Sequence, residues 1–490
     1  MKLALSSNWR CILACAMIAL AALLGLAWIS DLPLLGFDAY PLIASSAVES
    51  PGDLFRLATM ELMDGRYPDG HFHRPLVQLS FALDRALHGL DPKGYHLTNL
   101  ITCALSGILV FALARRICGL GITGACLAAL LFVGHPLQAE VLPFPARRAD
   151  NMALALILAV LCLQLRPKES LRWGRALTMG LLSWGALAAK ETGAVLALLA
   201  PLLVFMESPE VGTARFKQAL GRTWPVVVGI ALGVGARHLV LGGLAGHGDS
   251  SLFASTSLPA SEYLWRVLYS QPWLGWNEDM GFWILWGLFA VLLVSTWKLR
   301  AHAVRFLGAW LAVLLLVSGL AGRVHDWYAL LFVPSTVMLL ACAVEWSWGQ
   351  VRKSAPRPSL PGITLVVGLG LALSILISGP LVRRYGNLID GGRMLNQNLI
   401  QVNRLLDRAE AGGVSRLNPW IPMIPPHSDG SELRGVALAA DYSLQAYVDL
   451  RRPRLKSKVH PLEAATGTTD PDVWTLELIQ QPLPSWIRQH

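Results

Sequence analysis

Charge is scarce in this sequence. Only 15% of its 490 residues are Asp, Glu, Lys or Arg, whereas a soluble domain carries about 25%. Cysteine is equally uninformative about cross-linking. Cys11, Cys15, Cys103, Cys118, Cys126, Cys162 and Cys342 all lie in or beside apolar runs, and none lies in a long loop or in the tail. That placement argues against a disulfide framework, and no Cys/His spacing resembles a zinc site. Acid is outnumbered by base, giving a net charge of +9. In a soluble protein such an excess would suggest nucleic acid. Here the basic residues collect in a few short loops, as membrane topology requires, so no nucleic acid partner is expected.

What the sequence has in abundance is apolar residue, 54% of the total. It comes in continuous runs of about twenty, enough to cross a hydrocarbon core of roughly 30 Å as helices. The first run is Cys11–Ile29, read as a membrane helix with its N-terminus inside rather than as a cleaved signal. Others fall at Leu97–Ala114, Gly121–Phe132, Met152–Leu165, Leu177–Ala189, Thr192–Met206 and Trp224–Leu244. The last four are Phe282–Trp297, Phe306–Leu320, Ala329–Val344 and Ile363–Leu381. This predicts about eleven transmembrane helices. Alternate loops are basic, as at Arg115-Arg116, Arg172-Arg175 and Arg352-Lys353. By the positive-inside rule these are cytoplasmic. The loops beginning at Asp31, His135, Lys190, Ala245 and Gly322, and the tail, then share the outer face.

The loop between the first two spans, residues 31–96, is too long for a simple connector. It places Leu76, Leu79, Leu83, Ala86, Leu87 and Leu90 on one helical face. Such a helix lies in the membrane interface or packs on the membrane domain. The tail differs in composition. NQNLIQVNRLLDRAEAGG predicts a helix with a glycine stop, and RGVALAAD and VWTLELI predict strands. The expectation is therefore an all-α polytopic membrane domain over residues 1–383, followed by a small outer α/β domain over 384–490.

Ionisable residues at the ends of membrane helices are costly and default to functional candidates. The outer loops supply Asp38; His71, His73 and Arg74; His96 and Asn99; His135 and Glu140; Arg147, Arg148 and Asp150; Lys190 and Glu191; and Arg323, His325 and Asp326. Arg237 and His238 lie in the outer half of a span.

Three of these stretches resemble one family. HRPLVQLSFALDRALHGLDPKGYHLTNL is similar to the loop-to-helix segment of the transmembrane, tetratricopeptide-repeat-containing O-mannosyltransferases and their bacterial relatives. HPLQAE followed by RRAD resembles their second-loop motif, HP-x-x-x-E followed by G-R-A-D. KETG resembles their Lys-Glu pair at an outer helix end. The likeness covers roughly the first 200 residues. It implies the C-type glycosyltransferase (GT-C) fold, a lipid-linked sugar donor, and an acceptor on the outer or lumenal face. This chain departs in two places. It has Asp38-Ala39 where the family has a pair of acids, and its tail carries no tetratricopeptide repeat.

Transfer from a polyprenyl-phosphate sugar needs a base for the acceptor hydroxyl and positive charge for the departing phosphate. Asp38 is the candidate base, or else a helix-end acid. Arg148, with Arg147, is a candidate for the phosphate, or else starts a helix paired with Asp150. Lys190 and Arg237 are further phosphate candidates, or else form ion pairs that hold helices. Glu140, His135, Arg74, Asp150, Glu191 and His325 are candidates for positioning substrate. A divalent cation is possible, with Asp38, His71 and His73 as weak ligand candidates; no other cofactor is expected. The expected function is inverting glycosyl transfer, of a mannose-like hexose, to a protein hydroxyl or envelope glycan at a bacterial inner membrane. A flippase for a lipid-linked sugar, or an inactive scaffold, are the alternatives.

Overall fold

The structure is a computed structural model. It describes residues 2–66, 70–165, 172–243, 301–321, 326–351, 380–411 and 441–457, with a few isolated positions besides. The chain enters as α1 (Lys2–Gly25) and then makes three short helices of the first long loop, α2 (Ala39–Ser45), α3 (Pro51–Thr59) and α4 (Pro75–His88). The bundle continues with α5 (Pro92–Arg116), α6 (Ile122–Val133), the single turn α7 (Gln138–Val141), α8 (Arg148–Gln164), α9 (Trp173–Ala189), α10 (Leu196–Glu207) and α11 (Gly212–Leu241). After the next described stretch come α12 (Ala301–Ala321), α13 (Val333–Val351), α14 (Pro380–Ala411) and α15 (Asp441–Arg451).

Local chemistry fixes the helix starts around the loop. Ser50 and Asp53 form a capping box ahead of Pro51, and Asp91 accepts from the Lys93 N–H at 3.1 Å ahead of Pro92. Proline at the first helical position loses no hydrogen bond, because that N–H has no partner within the helix.

Five of the described helices are long and apolar enough to cross a membrane: Asn8–Asp31, Pro92–Arg116, Ile122–Val141, Gly212–Leu241 and Trp327–Val351. The protein is an integral membrane protein. The sequence predicted eleven spans. Those expected at Met152–Leu165, Leu177–Ala189 and Thr192–Met206 are helices of 17, 17 and 12 residues. At 1.5 Å per residue, seventeen residues reach about 26 Å, short of a full hydrocarbon core. Phe306–Leu320 falls on another short apolar helix, His302–Val317. The spans expected at Phe282–Trp297 and Ile363–Leu381 lie outside the described residues.

Two apolar clusters organise the molecule. The first fills the bundle, with Ile18, Cys103, Phe132, Leu161, Leu199, Trp310 and Leu340 among its members. The second lies at the outer end. It joins Leu34, Phe37, Tyr40 and Phe81 of the first loop to Leu395 and Leu406 of α14 and to Leu444 and Tyr447 of α15. The first loop and the tail therefore share one core. The expected tail helix is α14. Two strand pairs, both parallel, are two residues long, Arg416–Leu417 with Lys456–Ser457 and Trp420–Ile421 with His460–Pro461. Most of RGVALAAD and all of VWTLELI lie outside the described residues.

The first-loop helix α4 packs on α5 and α9 and also leaves apolar side chains uncovered, so both readings of it are compatible with the structure. On α4, Leu83 is 60% and Leu87 66% exposed, while Val77, Gln78, Phe81 and Asp84 turn inwards. Of the predicted apolar face, Leu83, Ala86 and Leu87 are exposed while Leu76, Leu79 and Leu90 are half-buried.

Candidate active site

The chain leaves α1 through a 3-10 turn at Ala27–Asp31 and reaches Gly36, whose φ of 91° suits glycine. Asp38 follows at the start of α2. Its carboxylate Oδ1 accepts a hydrogen bond from the Tyr442 hydroxyl at 2.8 Å. Burial raises the pKa of Asp38 above the ordinary carboxylate range, against the opposing pull of Tyr442, Arg74 and Arg147.

Arg147 arrives from the second loop. Its Nη1 donates to the Glu140 carbonyl at 2.6 Å and lies 3.4 Å from the Glu140 carboxylate. Its guanidinium stacks over Trp327 at 3.6 Å and Phe144 at 4.1 Å from the ring centroids. It is drawn electrostatically by both Asp150 and Asp38.

Lys190 and Glu191 occupy a break between α9 and α10. Lys190 is extended, with φ −159° and ψ 149°. Gly193 explains the tightness of this turn, because a Cβ there would lie 2.4 Å from the Ala186 carbonyl carbon. Lys190 pairs with Asp150 of α8 and sits 4.3 Å from the centre of the Tyr328 ring. Burial lowers the Lys190 pKa, and Asp150 opposes that. Glu191 takes a two-pronged contact from Arg74, at 3.2 and 2.8 Å, and a third from Arg237 Nη1 at 2.7 Å. Burial alone would raise this carboxyl, but the two guanidiniums outweigh it and bring the pKa to about 2. Lys190 and Glu191 thus pair with other helices rather than with each other.

The expected residues Asp38, Arg74, Glu140, Arg147, Asp150, Lys190, Glu191 and Arg237 therefore gather in one charged cluster. Arg148 does not join it. It is completely buried. Its Nε donates to Asn99 Oδ1 at 2.9 Å, Nη1 to Ser80 at 3.1 Å, and Nη2 to the Tyr95 carbonyl at 2.9 Å; Nη2 also pairs with Asp84 at 2.6 Å. A phosphate at Arg148 would have to displace these partners, and the contacts Arg148 makes are those of a brace between α4, α5 and α8. It does not pair with Asp150.

The histidines are bound to the scaffold. His135 accepts from the Leu137 N–H at 3.2 Å, fixing the turn after α6. His96 bonds the carbonyls of Leu32 and Pro33 at 3.0 and 3.3 Å. His71 pairs with Glu61 at 2.5 Å, and His73 bonds the Ala58 carbonyl at 2.9 Å. The structure does not bring Asp38, His71 and His73 together, and no metal-holding group of His, Cys, Asp or Glu is found among the described residues. His325 lies outside the described residues.

Sequence reasoning missed four contributors. Asp84 sits in a helix that reads as amphipathic and exposed, yet its Oδ1 accepts from Thr98 at 2.7 Å and it pairs with Arg148. Trp327 and Tyr328 cover the two cations. Tyr442 comes from a tail in which no motif was visible. Only the apolar run after Trp327-Tyr328 offered any signal, by placing that pair at an outer helix end.

Against known proteins, the likeness in sequence covers about a quarter of this chain and the likeness in fold covers nearly all of it. The mouse and human proteins named Protein O-mannosyl-transferase TMTC2 are each 34% identical over 140 residues, which is 27% of this chain and 17% of theirs. Protein O-mannosyl-transferase Tmtc1 of Drosophila melanogaster is 34% identical over 126 residues, 26% of this chain and 14% of its own. The matched stretch is thus less than a fifth of the length of these curated relatives. The crystal structure of ArnT from Cupriavidus metallidurans in the apo state superposes with a TM-score of 0.50. It covers 94% of this chain and 90% of its own, at 14% identity. The chain has a GT-C fold and resembles the TMTC O-mannosyltransferases. No protein-family model matches it.

Proposed function

We propose that this protein is an inverting membrane glycosyltransferase. It moves a sugar, a mannose-like hexose, from a polyprenyl-phosphate carrier to a protein hydroxyl or envelope glycan on the outer face of a bacterial inner membrane. Its N-terminus is cytoplasmic, about eleven helices span the membrane, and residues 384–490 form a small outer domain. The observation that carries this reading is the convergence of one acid, Asp38, with a set of cations at the outer end of the bundle.

The roles follow from the geometry. The acceptor O–H gives its proton to Asp38 as its oxygen attacks the anomeric carbon. The bond from that carbon to the phosphate oxygen breaks on the opposite face, and polyprenyl phosphate leaves. Arg147 and Lys190 are preorganised by aromatic stacking and by Asp150 to meet the phosphate charge. Arg74 and Arg237 act through Glu191, which holds the Lys190 break in place. Glu140 aims Arg147.

The test is sugar transfer by the purified protein, using labelled polyprenyl-phosphate sugars with membrane and periplasmic extract as acceptor, with and without chelator. Label passing from lipid to a protein or glycan, and lost in Asp38→Asn, supports the reading. Absence of transfer from every donor by folded protein overturns it in favour of a flippase or scaffold. Chelator sensitivity decides whether a cation takes part.

A further inference from the structure

We infer that Tyr442 is a positioning residue for the reaction: its hydroxyl holds the Asp38 carboxylate in place, so the C-terminal helix α15 completes the active site. This rests on the reading of Asp38 as the base.

Asp38 stands at the N-cap of α2, where an aspartate ordinarily turns back to accept from its own helix. It makes no such bond. Its side chain instead accepts from Tyr442, at a distance normal for a hydroxyl on a carboxylate. Among the described residues this is the hydrogen bond that the Asp38 side chain makes. A carboxylate base works best with one oxygen tethered and the other left for the incoming proton, the arrangement in which a third group orients the base. Tyr442 supplies the tether to Oδ1 and leaves Oδ2 for the acceptor.

The tether is itself held. Tyr447, five residues beyond Tyr442 on α15, meets Tyr40 of α2 edge-on at 4.9 Å and bonds Asn403 of α14 at 3.1 Å. Arg452 pairs with Asp407 and, at 2.8 Å, with Glu410. Other charged or titratable groups on the elements around α2 are Arg74, Arg85 and His88 of α4 and its start, with Asp84 paired to Arg148; Arg147 before α8; Asp64 in the turn Leu62–Gly65; and, on α15, Arg451 and Asp449, the latter 3.8 Å from Arg66. Arg74 and Arg147 act on Asp38 directly, in the same direction as Tyr442.

The test uses the full chain in nanodiscs, comparing wild type with Tyr442→Phe. A hydrophobic carbodiimide labels protonated buried carboxyls, so labelling of Asp38 against pH, read by mass spectrometry, follows its protonation without needing activity. Loss of the hydroxyl should raise the labelling midpoint by about one pH unit. In the transfer assay the acid limb of the kcat–pH profile should move up by the same amount as the labelling midpoint, so that kcat falls on that limb and recovers at higher pH, with the donor KM unchanged. Tyr442→His, which keeps a donor, should stay near wild type and serves if the Phe variant does not fold. An unmoved midpoint overturns the inference. So does faster transfer by Tyr442→Phe, which would make the tyrosine an occupant of the acceptor's place. A shifted midpoint in a protein that transfers no sugar sinks the parent reading and leaves the tether standing.

Discussion

Arg147 and Arg148 are neighbours in sequence with opposite fates. Arg148 is sealed, and Asn99, Ser80, Tyr95 and Asp84 engage every nitrogen of its guanidinium. Its rigid fork is matched by a fixed set of acceptors, which is how arginine serves as structure. Arg147 lies between two aromatic rings, beside one carboxylate and within the field of two more. Burial lowers the Arg147 pKa to about 9, against the pull of Asp150 and Asp38, so the guanidinium stays charged at neutral pH on its ring faces. The contrast separates a charge held by a full set of fixed acceptors from one held mainly by ring faces and nearby carboxylates. Adjacent positions in a motif do not share a role merely because they share a residue type.

The sharpest way to break this contrast is through the acid between the two loops. Asp38→Asn should lower transfer by about 10²–10⁴-fold, the range for loss of a general base, with the thermal midpoint held or raised. In wild type the rate should fall with decreasing pH as Asp38 takes up its proton, at a pH above the ordinary carboxylate range. A flat pH profile would count against Asp38.

The two arginines come next. Arg148→Met should cost about 3–5 kcal/mol of stability, because it leaves Asp84 buried without its cation. Thermal unfolding in detergent reads that loss, while transfer per folded molecule should persist. Arg147→Gln should do the reverse, with a thermal midpoint close to wild type and transfer lowered about 10²-fold through the donor phosphate. If the two variants behave alike, the distinction fails.

A smaller effect concerns Glu191. Its pKa falls from an ordinary 4.5 to about 2 in the folded protein. A lowered carboxyl contributes stability that is fully present above the unfolded value and is lost as pH falls through the folded one. Stability should therefore decline between about pH 4.5 and 2, a slope that Glu191→Gln removes. Asp38 contributes with the opposite sign, since its pKa is raised. Acid unfolding of the single variants would separate the two.

Much of the site was legible because membrane chemistry makes charge conspicuous. Asp38, Arg147, Lys190 and Glu191 stand at helix ends against apolar runs, where an ionisable group needs a reason. The outer loops also supplied Arg74, Asp150 and Arg237, which the structure brings near them. Partners were harder to read. Asp84 sits in LSFALDRALHG, where a helical wheel places it on the polar side; burial of that side against α5 reverses its meaning. The three helices α8 to α10 are 17, 17 and 12 residues long, because the sequence shows apolar runs but not where a helix stops. Tyr442 carries no local signal at all, since its role exists only through a contact 404 residues away along the chain.

That separation has a consequence for how the protein is made. At roughly 5–20 residues per second, α15 is synthesised about 20–80 s after Asp38. Through that interval the first outer loop lacks the third of its shared apolar core that α14 and α15 supply. The ribosome therefore delivers the membrane helices first and the keystone last. A chain stopped short of α15 would insert with Asp38 present but unanchored, so any quality check acting on the first loop would in effect be reading whether translation had reached the tail.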